Sequence, residues 1–308
     1  MSKHFKNEKQ NKFIKHYIPN SKDNLKQIII KVLFLLSLAV FIVSSVFIAD
    51  YFLTNDKEDS IIKESRSLWH HNESGKTEDK DKASSPTKIL LKQNSDFKGW
   101  ITIDGTKIDN PIYQTDNNNY YINHNQNKEK SSYGALFFDC ENVITEKKID
   151  KNLVVFGHEM KNGSMFGQLK KLKNLSFYKE HSTIGLNVLG QQSVYRIYAV
   201  YILNAKKADD NGNIYNIYRQ SFNDSQDFNE WVSQAKERSI IETKVEVEYG
   251  DDILTLVTCS RDFEDARLVV MAKKLTSDED TSPKNSKAYA NPNPKYPAKW
   301  YEERNKKS

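Results

Sequence analysis

Cysteine is nearly absent from this chain: 308 residues contain only Cys140 and Cys259. Disulfide-stapled scaffolds are far denser in cysteine, so a packed core has to hold the fold. The sequence leaves open whether these two form one bond. Metal-ligand spacing is missing as well. His70 and His71 are adjacent, would not face one way on a helix, and have no cysteine or carboxylate cluster beside them; they read as solvated surface, and no metal or cofactor is expected. Internal repeats and strand–helix–strand alternation are also lacking, which argues against solenoids and parallel wound sheets. The formal net charge is +5, but residues 1–31 hold eight lysines against Glu8 and Asp23. That arm carries +6, which leaves −1 on the other 277 residues. The body therefore lacks the basic footprint of a nucleic-acid partner.

What is present begins with residues 32–49, VLFLLSLAVFIVSSVFIA, 18 positions without a charge and with apolar flanks. A helix needs roughly 20 apolar residues to cross a bilayer. Signal-peptide apolar regions run to only ~7–15 residues, and no A-x-A-like cleavage site follows. Lysines precede the run, and Asp50, Asp56, Glu58 and Asp59 follow it. The positive-inside rule then predicts a single-pass protein of the cell membrane, with a cytoplasmic N-terminus and everything from about residue 54 outside. The expected organisation is a basic arm (1–27), a transmembrane signal-anchor helix (28–53), a short amphipathic helix and linker (54–87), a folded body (88–275) and a polar, Pro-containing tail (276–308). The tail reads as disordered, with Trp300 and Tyr301 as docking points.

Within the body, short apolar stretches recur at 99–103, 111–114, 134–138, 153–156, 183–189, 193–203, 245–247, 253–258 and 268–272. Helical spacing is confined to 164–172 and to 224–238, where Phe228, Trp231, Val232 and Ala235 share a face. Many short strands and few helices predict a mostly β protein, a closed or nearly closed barrel.

The stretch DILTLVTCSRDFEDARLVVMAKKL (252–275) organises the chemistry. Two strands joined by a polar loop would pair antiparallel, placing Cys259 at the end of one beside Arg267 at the start of the other. Alternation puts Leu254 and Leu256 on one face with Leu268, Val270 and Ala272, and Cys259 with Arg267 on the opposite face. A thiol beside a permanent cation is a nucleophile with an anion stabiliser at hand. Thiol catalysis also needs a base. His158, at the end of an apolar strand and before a glycine-containing loop, is the candidate. His4 and His16 fall in the cytoplasmic arm, and His124 and His181 in polar loops.

Taken together, TLVTC at 255–259, Arg267 eight residues on and FGH at 156–158 resemble the sortases. GWITIDGTKIDNPIYQTDN (99–117), YGALFFDCEN (133–142) and GHEMKNGSMFGQL (157–169) are similar to the class B branch. The resemblance implies a closed eight-stranded sortase-type β-barrel carrying a membrane-anchored cysteine transpeptidase of a Gram-positive-type surface. His158, Cys259 and Arg267 are then the catalytic set. The implied partners are surface proteins with a C-terminal sorting signal, with an NP-x-T-like motif cut after its Thr. The implied acceptor is an amine of the peptidoglycan stem peptide or its lipid-linked precursor. The chain departs from the pattern at Cys140–Glu141 and at Ser260–Arg261, where no acidic residue directly follows the cysteine. Alternatives from the residues themselves are a hydrolytic cysteine peptidase and a non-catalytic receptor with Cys259 bonded to Cys140.

Overall fold

The structure, a computed structural model, describes residues 16–73, 86–206 and 215–306. Most of the basic arm and of the linker lies outside the described residues. The chain divides into two compact units, Met1–Ser60 and Ile61–Ser308.

The first unit is dominated by α1, which spans Leu25–Glu73 and so continues into the second unit. Its best 18-residue window has a mean hydropathy of 2.8, and none of that window is buried. Phe41, Phe47 and Leu53 are all exposed. A helix apolar all round and covered by no protein is suited to lipid. The amphipathic helix expected after residue 54 is a continuation of the same helix. No Pro or Gly falls between residues 25 and 73 to end it.

The second unit is a closed barrel with strand order β1-β2-β3-β4-β8-β9-β6-β5, as expected. Its strands are β1 Phe97–Thr102, β2 Asp109–Tyr113, β3 Leu136–Phe138, β4 Asn152–Phe156, β5 Thr183–Val188, β6 Gln191–Asn204, β8 Ile253–Cys259 and β9 Ala266–Lys274. Two-residue strands β7, Ile241–Glu242, and β10, Tyr289–Ala290, pair apart from it. The stretch 245–247, read as a strand, forms none. β5 and β6 are joined by Leu189–Gly190, both at positive φ (51° and 87°). That is the twist a two-residue hairpin turn demands, and Gly adopts it without strain.

Alternation along the strands sorts their side chains into two layers. Ile101, Ile112, Leu136, Val155, Leu254, Leu256 and Val270 fill the interior. Val154, Tyr201, Val257, Val269 and Met271 point outward and are covered by the amphipathic helix, here Ser225–Arg238, through Phe228, Trp231 and Val232. The outer face of the β8–β9 hairpin is therefore apolar too, until Cys259 and Arg267 end it. That helix is capped by Asp224, whose side chain accepts the Asp227 amide.

Two expectations are corrected. Where a helix was read over 164–172, the structure has a 3-10 turn at Leu169–Lys173 followed by a helix at Leu175–Glu180. The tail, read as disordered, is built onto the barrel. Its main chain bonds to Ser182, Ile240 and Glu237, and Asn285 reaches the Thr243 carbonyl. A helix at Ala298–Asn305 follows, with Trp300 stacked on Tyr296 at 3.8 Å and both packed against the interior cluster. Its polar residues satisfy backbone groups of the body and form no core of their own, so composition hid the order.

Candidate active site

Cys259 and Arg267 are direct register partners at the loop end of the β8–β9 hairpin. The thiol is exposed. β8 also pairs in parallel with β4, through Phe156↔Val257. Two residues further along, the same register brings His158 level with Cys259. The two strand ends are tied beyond the ladder: the Gly157 amide donates to the Val257 carbonyl (3.2 Å), and the Thr258 hydroxyl donates to the Gly157 carbonyl (2.7 Å). His158, Cys259 and Arg267 thus terminate three neighbouring strands.

Small residues make this possible. A Cβ on Gly157 would stand 2.3 Å from Leu136 Cδ2 and 2.9 Å from Phe166 Cδ2, so any larger residue there would have to push those side chains aside. Gly134 is at φ +60°, and a Cβ would fall 2.4 Å from the Tyr121 carbonyl oxygen and 3.2 Å from the His158 ring. That close passage brings the neighbouring loop against the imidazole. His158 Nε2 lies 2.8 Å from the Ile122 carbonyl. A carbonyl only accepts, so Nε2 carries the hydrogen, and Nδ1 is the nitrogen left for proton exchange.

All three side chains line one groove of about 680 Å³. Its walls are mainly apolar: Ile122, Phe137, Phe156, Leu203, Ile217 and Val257, with Tyr218 and Asn118 at the edge. The wall at 215–218 is tied to the barrel through Asn152. Asn152 Nδ2 donates to the carbonyls of Ile217 (2.8 Å) and Arg219 (3.1 Å), and its Oδ1 accepts the Thr255 hydroxyl (2.9 Å). Arg219 in turn makes a forked pair with Asp227 (2.8 and 2.6 Å) at the start of the covering helix. The two threonines of TLVTC are therefore tethers, one for the histidine strand and one for the groove wall.

Arg267 donates from Nη1 to the Ala266 carbonyl at 3.1 Å. Both cysteines are free, so the disulfide left open by the sequence is not formed. Cys140 is half-buried beyond the groove's edge, its amide bonded to Asn118 Oδ1 (2.8 Å). Burial, then the carboxylates of Asp139 and Glu141, push its thiol up from the ordinary range. Less of it is thiolate at neutral pH as a result.

Among the described residues of this unit, His70, His124 and His181 do not line the groove. His70, read as solvated surface, is exposed; it also bonds Asp109 (2.9 Å) and meets the Trp100 ring edge-on. His124 stacks on Tyr120, and His181 faces Asp104. Among the described residues no group of three or more His, Cys, Asp or Glu is placed to hold a metal ion. The groove wall at 215–218 and the tether Asn152 were not singled out in the sequence, because nothing local marks them.

The sortase domain family matches residues 101–275, from β1 to the end of β9. Sortase B of Listeria monocytogenes is 31% identical over 254 residues, covering 82% of this chain and 99% of the relative. Among solved structures, sortase B of Clostridium perfringens matches with a TM-score of 0.55 at 36% identity, covering 61% of this chain and 99% of that one. Sortase B of Bacillus anthracis in complex with AAEK1 matches with a TM-score of 0.61 at 28% identity, over 73% and 99%. With family, relatives and barrel in agreement, the chain belongs to the sortases, in their class B branch, and is a cysteine transpeptidase of the cell surface.

Proposed function

We propose that Cys259 is the nucleophile, Arg267 the oxyanion donor and His158 the proton carrier. The donor substrate is then a surface protein with an NP-x-T-like C-terminal sorting motif. The observation that carries this reading is the convergence of three strand ends on one apolar groove. The thiolate of Cys259 attacks the carbonyl carbon of the motif's Thr, and the developing oxyanion is held by the Arg267 guanidinium. His158 delivers a proton to the leaving amine, and the peptide bond breaks to leave a thioacyl enzyme. An amine of a cell-wall stem peptide then attacks, His158 takes its proton, and the thiolate departs. The apolar walls suit an extended peptide whose proline and aliphatic atoms lose water on binding.

A direct test is mass spectrometry of the full chain in detergent, mixed with an Asn-Pro-x-Thr peptide and quenched in acid. The expected result is an adduct equal to the acyl fragment, absent in Cys259→Ala. Peptide cleavage with no adduct under any quench would overturn the covalent route.

The anchor reading belongs here as well. Residues 28–53 cross the membrane with the arm inside and the barrel outside. Protease added to intact protoplasts should digest the barrel, and full protection would reverse the topology.

A further inference from the structure

The sortase family match ends at residue 275, yet the tail beyond it is fixed to the barrel at intervals. Arg196 of β6 is 8% exposed, and its guanidinium donates to the tail carbonyls of Asp280 (2.7 Å) and Lys284 (3.3 Å). Further on, Asn291 Nδ2 donates to the Ser239 carbonyl (2.7 Å), and the Lys295 amide donates to the Glu237 carbonyl (2.9 Å). Ordering a residue costs roughly 1–2 kcal/mol of backbone entropy, which these bonds help to offset. They carry the chain round the barrel to its last helix, Ala298–Asn305.

That helix meets the loop at 260–265, which joins Cys259 to Arg267. Within the loop the Ser260 amide donates to the Ala266 carbonyl (2.9 Å) and the Ala266 amide to the Phe263 carbonyl (3.2 Å). Phe263 is the loop's apolar foot, buried in the interior cluster against which Tyr296 and Trp300 pack. Arg304 lies over the Trp300 ring, 3.8 Å from its centre, and its charge acts on Asp262. Burial would raise the Asp262 carboxyl, but bonds from Lys173 and Ser260, then the charges of Lys173 and Arg304, hold it below its ordinary range. Tyr296 feels the same two groups: burial pushes its hydroxyl up, Arg304 opposes the rise and Asp262 adds to it. The helix thus reaches the loop at an apolar foot and at a charge.

We propose that the tail is a strap that positions the active site: through Trp300 and Arg304 its last helix holds the β8–β9 loop at Phe263 and Asp262. The pair Cys259↔Arg267 is the last rung of the hairpin ladder, where fraying is easiest. A fixed loop keeps that rung closed, so nucleophile and oxyanion donor stay aligned. Trp300 and Arg304 are positioning residues, since neither they nor residues 260–266 line the donor groove. The catalytic part of the proposal rests on Cys259 being the nucleophile.

The test compares the chain in detergent with two variants, a stop after Pro297 and Trp300→Ala. Both leave the anchors at Arg196, Asn291 and Lys295 in place. Hydrogen exchange read by mass spectrometry should be about tenfold faster or more over 260–266, with 253–258 as protected as before. For a fluorogenic Asn-Pro-x-Thr peptide, kcat should fall about tenfold while KM holds, as expected for lost alignment. Trp300→Phe should restore most of both, because a smaller ring still fills the site. Protection over 253–258 reports the folded fraction in the same samples, so a lost fold is not mistaken for a lost strap. If the full chain never cleaves the peptide, the proposed function fails, and exchange alone decides whether the strap holds the loop. Unchanged exchange over 260–266 in both variants, or an unchanged kcat with the loop loosened, overturns the positioning role. Equal loosening of 253–258 overturns it too, since the tail would then hold the whole barrel.

Discussion

The Thr258 hydroxyl donates to the Gly157 carbonyl at 2.7 Å, joining the residue before Cys259 to the residue before His158. With the Gly157 amide's bond to the Val257 carbonyl, it fixes the two strand ends beyond the last ladder pair, Phe156↔Val257. Thr258→Val keeps the shape, removes the donor and leaves a carbonyl unpaired, which costs about 1–3 kcal/mol. Turnover should fall about tenfold or more, because nucleophile and base lose their common alignment. Thr258→Ser should recover most of it. Thermal unfolding and peptide cleavage on the same samples separate lost stability from lost alignment; unchanged turnover in the Val variant would refute the tether.

The two thiols should behave unlike each other. Cys259→Ala abolishes cleavage of the sorting peptide, while Cys140→Ala leaves most of it, since Cys140 lies outside the groove lining. Loss of activity in a folded Cys140→Ala chain would point to a different nucleophile.

Cys140 should also show a shifted pH response. A thiol whose pKa is raised holds less thiolate at any given pH. Cys140, raised by burial and by Asp139 and Glu141, should therefore alkylate slowly at neutral pH and speed up only above the ordinary thiol range. Iodoacetamide labelling of Cys259→Ala across pH 6–11, about the accessible range for thiols, reads this directly. Replacing Glu141 with Gln should move the profile to lower pH.

For Arg267, charge and geometry can be told apart. Removing one oxyanion donor costs about 10²–10³ in rate, and Arg267→Ala should lose at least that in kcat. Arg267→Lys should recover little, because a flexible amine cannot reproduce the planar fork. KM should change less than kcat, since the oxyanion exists only on the way through the transition state. A pure KM effect in steady-state kinetics would instead make Arg267 a docking residue.

The Arg219–Asp227 pair ties the groove wall to its covering helix. The Arg219 guanidinium, followed by the Asn223 amide, holds the Asp227 carboxyl at about 2, against an ordinary value of 3.8. A depressed pKa means that the pair's contribution is complete above about pH 4 and is lost as pH falls toward 2. Asp227→Asn should flatten the acid limb of the unfolding profile in that window and raise KM for the donor peptide. An acid limb unchanged in the variant would place the titration elsewhere.

The hairpin around Cys259 was legible in the sequence, because strand alternation over 253–258 and 268–272 admits a single pairing with apolar faces matched. That pairing put Cys259 opposite Arg267, where the structure has them. The long apolar run and the helix at 224–238 were legible for the same reason: periodicity is a local property. His158 was reached by asking what base a thiol would use, and its neighbourhood was not visible.

What only tertiary structure decided is non-local. Parallel pairing of β4 with β8 joins stretches some hundred residues apart, as the Thr258–Gly157 bond with its separation of 101 shows. No turn chemistry specifies such a partner; the shared interior of Val155, Leu254 and Leu256 does. The groove wall at 215–218 depends on the buried amide of Asn152, and the tail on main-chain bonds to the body. Composition and periodicity determined which residues would be strands and which would carry reactive groups. Closure of the barrel decided which of those groups meet, because burying both faces of each strand leaves one set of neighbours for every strand end.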